Sequence, residues 1–152
     1  MYLYHDSRDP MYRAPLGAVP CGKKLRLRVF AEGLHRVYLR LWWQNAEKRL
    51  PMRPTHDNLY EGELKLPKEP GLLWYFFVAE GDDGRTWYLG NAADGLGGVG
   101  AISEREPGGY QVTVYDPAYD TPHWMRNGMM LQIMVDRYNA VGEKDVRNLP
   151  LA

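Results

Sequence analysis

Residues 24–30 read Lys-Leu-Arg-Leu-Arg-Val-Phe, a strict alternation of charged and apolar side chains. In an extended chain successive side chains point to opposite faces, so Leu25, Leu27 and Val29 share one side and Lys24, Arg26 and Arg28 the other. A helix would spread those charges around its circumference. Only a half-buried strand of an antiparallel sheet gives each face one character. Residues 36–43 repeat the pattern, with Val37, Leu39 and Leu41 facing in and Tyr38, Arg40 and Trp42 facing out. Residues 59–66 alternate more weakly and stop at Pro67. Residues 72–79, LLWYFFVA, are apolar on both faces, which predicts a central strand covered on both sides and assigns Trp74 to the core. Pro70-Gly71 opens that strand, and residues 81–84 supply a hairpin turn into a further strand at 86–89. Residues 110–115 form another, opened by Pro107-Gly108-Gly109. The expectation is an all-β fold, an immunoglobulin-like antiparallel β-sandwich of about seven strands over residues 1–118.

A chain of 152 residues with 45% apolar side chains can build one packed domain. Lys plus Arg and Asp plus Glu number 19 each, so no polyanion is expected as a partner and nucleic acid is set aside. The four histidines, His5, His35, His56 and His123, lie far apart without metal-ligand spacing, and no metal or cofactor is expected. Asp82-Asp83 beside Gly84 is turn chemistry, not a catalytic pair. Cys21, between Pro20 and Gly22, is a small residue in a turn that has no partner for a disulfide. The charged first fifteen residues do not read as a secretory signal, and no run is long enough to span a membrane; the expectation is a cytoplasmic protein that does not meet a membrane.

The pattern changes after Tyr115. Residues 116–123, DPAYDTPH, read as a linker at 119–127. Residues 129–135, MMLQIMV, are then nearly continuously apolar and run into Asp136-Arg137-Tyr138, as a parallel strand buried on both faces would. The stretch from Tyr110 to Tyr138 resembles the junction in enzymes of the α-amylase family, glycoside hydrolase family thirteen. In its neopullulanase, cyclomaltodextrinase and maltogenic amylase group, a sandwich ends in a strand like YQVTVYD, a linker like TPHW follows, and the first barrel strand is close to VxYQIFPDRF. Gln132, Ile133, Asp136 and Arg137 match that strand; Leu131, Val135 and Tyr138 stand where the family has tyrosine, proline and phenylalanine. "HDS" at residues 5–7, "YRAPLGAV" at 12–19 and "DGLGGVG" at 94–100 also resemble stretches of the group's N-terminal module. The resemblance implies a family thirty-four-like carbohydrate-binding module, followed at 128–152 by a truncated start of a (β/α)8 barrel. It implies no catalysis by this chain alone, because the family's catalytic carboxylates lie on later barrel strands and glycoside hydrolysis needs at least two placed carboxylates. The implied partners are an α-glucan oligosaccharide, the catalytic barrel of the same enzyme and a second copy in a homodimer.

Aromatic residues are abundant: 5 tryptophans and 11 tyrosines against 3 phenylalanines. Tryptophan and tyrosine combine a flat apolar face with a polar handle, which suits stacking on sugar rings and also suits core packing. The candidate sugar-binding residues are Trp42, Trp43, Tyr60, Trp87 and Tyr88. The rival reading is an immunoglobulin-like interaction domain without sugar affinity. A third rests on Gly95-Leu-Gly-Gly-Val-Gly100, which has the letters of a dinucleotide fingerprint. That fingerprint must follow a strand directly and open a helix, whereas here Pro107 and further glycines arrive too soon for one. The glycines are instead expected in a loop that needs positive φ and close backbone approach.

Overall fold

The computed structural model describes residues 1–134. Its contacts divide the chain into one unit at Met1–Tyr119 and a second beginning at Asp120. In chain order the strands of the first unit are β1 (Tyr2–Tyr4), β2 (Arg13–Ala14), β3 (Val19–Pro20), β4 (Lys24–Glu32), β5 (His35–Trp43), β6 (Ala46–Pro51), β7 (Arg53–Pro54), β8 (Leu59–Lys65), β9 (Gly71–Glu80), β10 (Thr86–Gly90), β11 (Ala101–Ser103) and β12 (Tyr110–Tyr115). The alternating runs seen in the sequence are β4, β5 and, more weakly, β8, and the further strand expected at 110–115 is β12. The hairpin expected at residues 81–84 joins β9 to β10, with the Gly81 amide donating to the Arg85 carbonyl at 2.9 Å.

Two sheets form. In the first, β1, β4, β8 and β7 lie in that order, and β2 also pairs with β4. The second is organised by β9. One of its edges carries β5, with β6 beyond. Its other edge is shared: β12 pairs with the first half, from Gly71 to Tyr75, and β10 with the second half, from Phe77 to Glu80. Beyond these lie β3, parallel to β12, and β11, antiparallel to β10.

The alternation decides what is buried. Leu25, Leu27 and Val29 of β4, Val37, Leu39 and Leu41 of β5, Leu73, Tyr75, Phe77 and Ala79 of β9, and Val112 and Val114 of β12 all face one common core. Burying each large aliphatic or aromatic side chain contributes roughly 1.5–3 kcal/mol. The sandwich stands on these inner faces.

The outer face of β9 differs from the sequence expectation. Phe76 and Val78 are covered as predicted, but Leu72 and Trp74 are exposed, Trp74 at 40%. The cause lies in the neighbours. Phe76 is flanked by the rings of Trp42 at 4.9 Å and Tyr88 at 6.0 Å, and the Arg40 guanidinium lies 5.3 Å from its centroid. Arg40 is itself ion-paired to Glu47 and Glu106. Beside Leu72 and Trp74, β12 presents only Thr113 and Gln111, polar side chains that leave the apolar ones uncovered.

In the second unit, His123–Arg126 form one helical turn, α1. Residues 129–134 are exposed and adopt no strand, unlike the buried parallel strand expected there. Such a strand needs hydrogen-bonded neighbours along its edges, and the described residues of this unit contain none. Val135, Asp136, Arg137 and Tyr138 of the barrel-strand motif lie outside the described residues. No helix among the described residues is long and apolar enough to cross a membrane.

Gly100 is the tightest backbone position in the glycine stretch. A Cβ there would overlap the Tyr110 hydroxyl oxygen and stand 2.8 Å from the Gly90 carbonyl oxygen. Gly100→Ala is therefore expected to cost about 1–3 kcal/mol by overpacking, seen in urea unfolding as a lower midpoint with an unchanged slope.

Candidate functional site

The three stretches 5–8, 12–19 and 94–100 are distant in sequence and meet at one end of the sandwich. Their anchor is His5, fully buried. Its Nδ1 lies 2.7 Å from the Arg28 carbonyl and its Nε2 lies 3.0 Å from the Tyr75 hydroxyl. A carbonyl can only accept, so the proton sits on Nδ1, and Nε2 accepts from the Tyr75 O–H. The rings of Tyr12, Tyr75, Phe77 and Tyr110 surround the imidazole. Burial keeps it neutral and lowers its pKa to about 4, against the opposing pull of the Arg28 carbonyl. Burial likewise pushes the Tyr75 and Tyr110 hydroxyls up, so both are neutral phenols.

The backbone on either side of His5 holds the glycine stretch. The Gly100 amide donates to the His5 carbonyl at 3.1 Å, and the Ser7 amide to the Gly98 carbonyl at 3.0 Å. The Gly98 amide donates to Ser7 Oγ at 2.8 Å, and the Gly97 amide to Asn91 Oδ1 at 2.9 Å. Gly95, Gly97 and Gly98 have φ of 70°, 77° and 84°, the left-handed region that L side chains avoid. A strand follows, not a helix, so the loop expected from the sequence is what forms, and no helix N-terminus stands where a pyrophosphate would need one.

This loop walls a cleft of about 410 Å³. At the floor lies Arg13, only 7% exposed. Its guanidinium donates to the carbonyls of Gly17 at 2.7 Å and Gln111 at 3.3 Å, while its Nε has no partner among the described residues. The hydroxyl of Tyr110, another lining residue, is also buried and unpartnered. Arg8 reaches across to the Leu96 carbonyl at 2.8 Å. The exposed indole of Trp74 and the Gln111 side chain complete the rim. The cleft thus combines a flat apolar ring with hydrogen-bond donors that the protein leaves unused.

The aromatic residues singled out from the sequence do not assemble here. Trp42 and Tyr88 lie on the outer face of the second sheet, one on each side of Phe76 and half-buried. Trp43, Tyr60 and Trp87 pack against the core. Trp43 also lines a separate opening of about 380 Å³ with Leu41, Leu64 and Leu73, and the Tyr60 hydroxyl donates to the Leu34 carbonyl at 3.3 Å. Gln132 is exposed in the second unit. Among the described residues no group of acidic, histidine or cysteine side chains could hold a metal ion. No window of the sequence marks Trp74 as exposed, because its polar neighbours Gln111 and Thr113 come from a strand that meets it only in the fold. Nothing in the sequence marks Arg13.

No protein-family model matches the chain. It is 35% identical over 145 residues to the amylopullulanases of Thermoanaerobacter thermohydrosulfuricus and Thermoanaerobacterium saccharolyticum. These amylopullulanases are its homologues. The alignments cover 90% of this chain but 10% and 11% of those proteins, so the chain spans about a tenth of the length of these relatives. Among solved structures it is similar to a cycloalternan-degrading enzyme from Trueperella pyogenes, at 22% identity and a TM-score of 0.49, over 57% of this chain and 13% of that one.

The buried His5 generates a pH dependence. Unfolded, its imidazole takes up a proton near pH 6.5, whereas folded it does so only near pH 4. The unfolded chain therefore binds more protons between these values. Stability falls as pH drops through that window, by on the order of 3 kcal/mol in total. In urea unfolding at pH 7, 5.5 and 4, His5→Gln is expected to remove this part of the slope while lowering stability at pH 7.

Proposed function

We propose that the chain is the accessory immunoglobulin-like β-sandwich of an α-glucan-degrading glycoside hydrolase, and that it holds α-glucan in the cleft rimmed by Trp74. In this reading the residues from 128 onward begin the (β/α)8 barrel, and hydrolysis belongs to that barrel. Homology to amylopullulanases supports the enzyme class. The observation that carries the binding role is the exposed indole of Trp74, set on a rigid central strand beside unused hydrogen-bond donors. The axial C–H face of a glucose ring packs on an indole, and the exposed Arg8 guanidinium at the rim can donate to the ring's oxygens. The cleft's volume suits a short segment of a glucan chain and falls within the range of small-ligand sites.

Isothermal titration of the chain with maltoheptaose tests this. Trp74→Ala is expected to weaken binding at least about ten-fold, as truncating a central aromatic anchor does. Its melting temperature should stay close to wild type, because the side chain is not part of the core. Trp87→Ala is expected to do the reverse, lowering stability through lost core packing. An absence of heat from wild type at millimolar sugar would sink the binding role. Leu72 and Trp74 together also suit an apolar protein contact, either with the barrel or with a second copy. That second reading expects a Leu72-dependent dimer in size-exclusion chromatography and no sugar heat.

A further inference from the structure

The polar groups of the cleft are unbalanced. The carbonyls of Gly17 and Gln111 are occupied by Arg13, and that of Leu96 by Arg8. Asn91 Oδ1 is spent on the Gly97 amide, which leaves its NH₂ group. Ser7 Oγ accepts from the Gly98 amide, which leaves its O–H to donate. Among the described residues no carboxylate lines the cleft. Asp6 and Asp94, on adjoining turns, accept from the amides of Arg8 and Leu96. Among the described residues, the side-chain acceptors left in the lining are the Gln111 amide oxygen at the rim and the Tyr110 hydroxyl, which can also donate.

The charges are equally one-sided. Arg28, Arg40, Arg49 and Arg53 all pair with glutamates, whereas Arg8 and Arg13, like Arg26 and Arg105 away from the cleft, make no ion pair among the described residues. Arg13 is more than nine-tenths buried, with an unpartnered Nε. Burying a guanidinium without a counter-charge is costly, and the cost is recovered when an anion arrives. A neutral sugar hydroxyl both donates and accepts, so a wall of donors satisfies only half of it. An oxyanion only accepts, and binds guanidinium N–H groups through short charge-assisted bonds.

We infer that the floor of this cleft is an oxyanion subsite, and that it takes a phosphate monoester borne by a glucose unit of the glucan. The inference rests on the glucan-binding reading for the sugar part, with Trp74 stacking on the ring and Arg8 and Arg13 holding the ester.

The test compares a maltodextrin carrying 6-phosphate esters with the same dextrin after phosphatase treatment, titrated into the full chain. The esterified dextrin is expected to bind about ten-fold tighter, the gain of one or two charge-assisted bonds, and the gain should shrink as salt is raised. In Arg8→Gln, an exposed position, the ratio should fall toward one. Arg13→Lys, which keeps the charge and loses the fork, should lower it as well. Equal affinities in wild type, or an undiminished ratio in both variants, would overturn the subsite while leaving the glucan reading in force. Should neither dextrin bind, the glucan reading has failed by itself. Inorganic phosphate then decides the subsite: amide shifts confined to Ser7, Asn91 and residues 95–97 uphold it, and their absence overturns it.

Discussion

A single imidazole ties this domain together. His5 spans from the Arg28 carbonyl on β4 to the Tyr75 hydroxyl on β9, and so joins a strand of the first sheet to the central strand of the second. Both partners are themselves buried or backbone, so either left alone would carry the desolvation cost of an unmade bond. The His5 backbone carbonyl then accepts from the Gly100 amide, and the neighbouring Ser7 clamps Gly98. The N-terminal segment is thus a strut between the sheets and a bracket for the glycine loop. Its interior histidine is fixed in one tautomer by what it touches, with no metal or catalytic duty needed to account for it.

Much of the fold was legible because period-two alternation is a local property. Lys24 to Phe30 carries its whole burial pattern in its own letters, and Arg36 to Trp43 does so too. Long-range pairing was not legible. That β9 shares one edge between β12 and β10 depends on which strands meet, and no window of residues records that. Trp74 is the clearest example: its exposure is set by Gln111, thirty-seven positions away in sequence and directly opposite in the sheet. The glycine loop was read correctly for what it is and not for what it does. Its letters call for positive φ, whereas its role as the wall of a cleft follows from Ser7, Asn91 and Arg8 closing on it.

The outer face of the second sheet divides its chemistry between two ends of one strand. Around Phe76 the aromatic rings are roofed by Arg40 and its glutamates, an arrangement that satisfies itself and leaves nothing over for a ligand. At the other end of the same strand the roof is missing, and an indole stands beside donors without partners. A self-neutralised surface and an unfinished one lie about two residues apart along a strand. The contrast separates the structural aromatics of this chain from the one that is available to bind.

The cleft is also a composite of chain ends and chain middle. Ser7, Arg8 and Arg13 precede every long strand, while Trp74 and Gln111 belong to the last strands completed. Partial folding therefore yields no partial site. During synthesis the early arginines wait for a wall at residues 91–97 and a rim that is complete only at Gln111, and proteolytic trimming of the residues before Val19 would erase the pocket of a tryptophan half the domain away. Whatever occupies this cleft reports that the domain has closed from both ends.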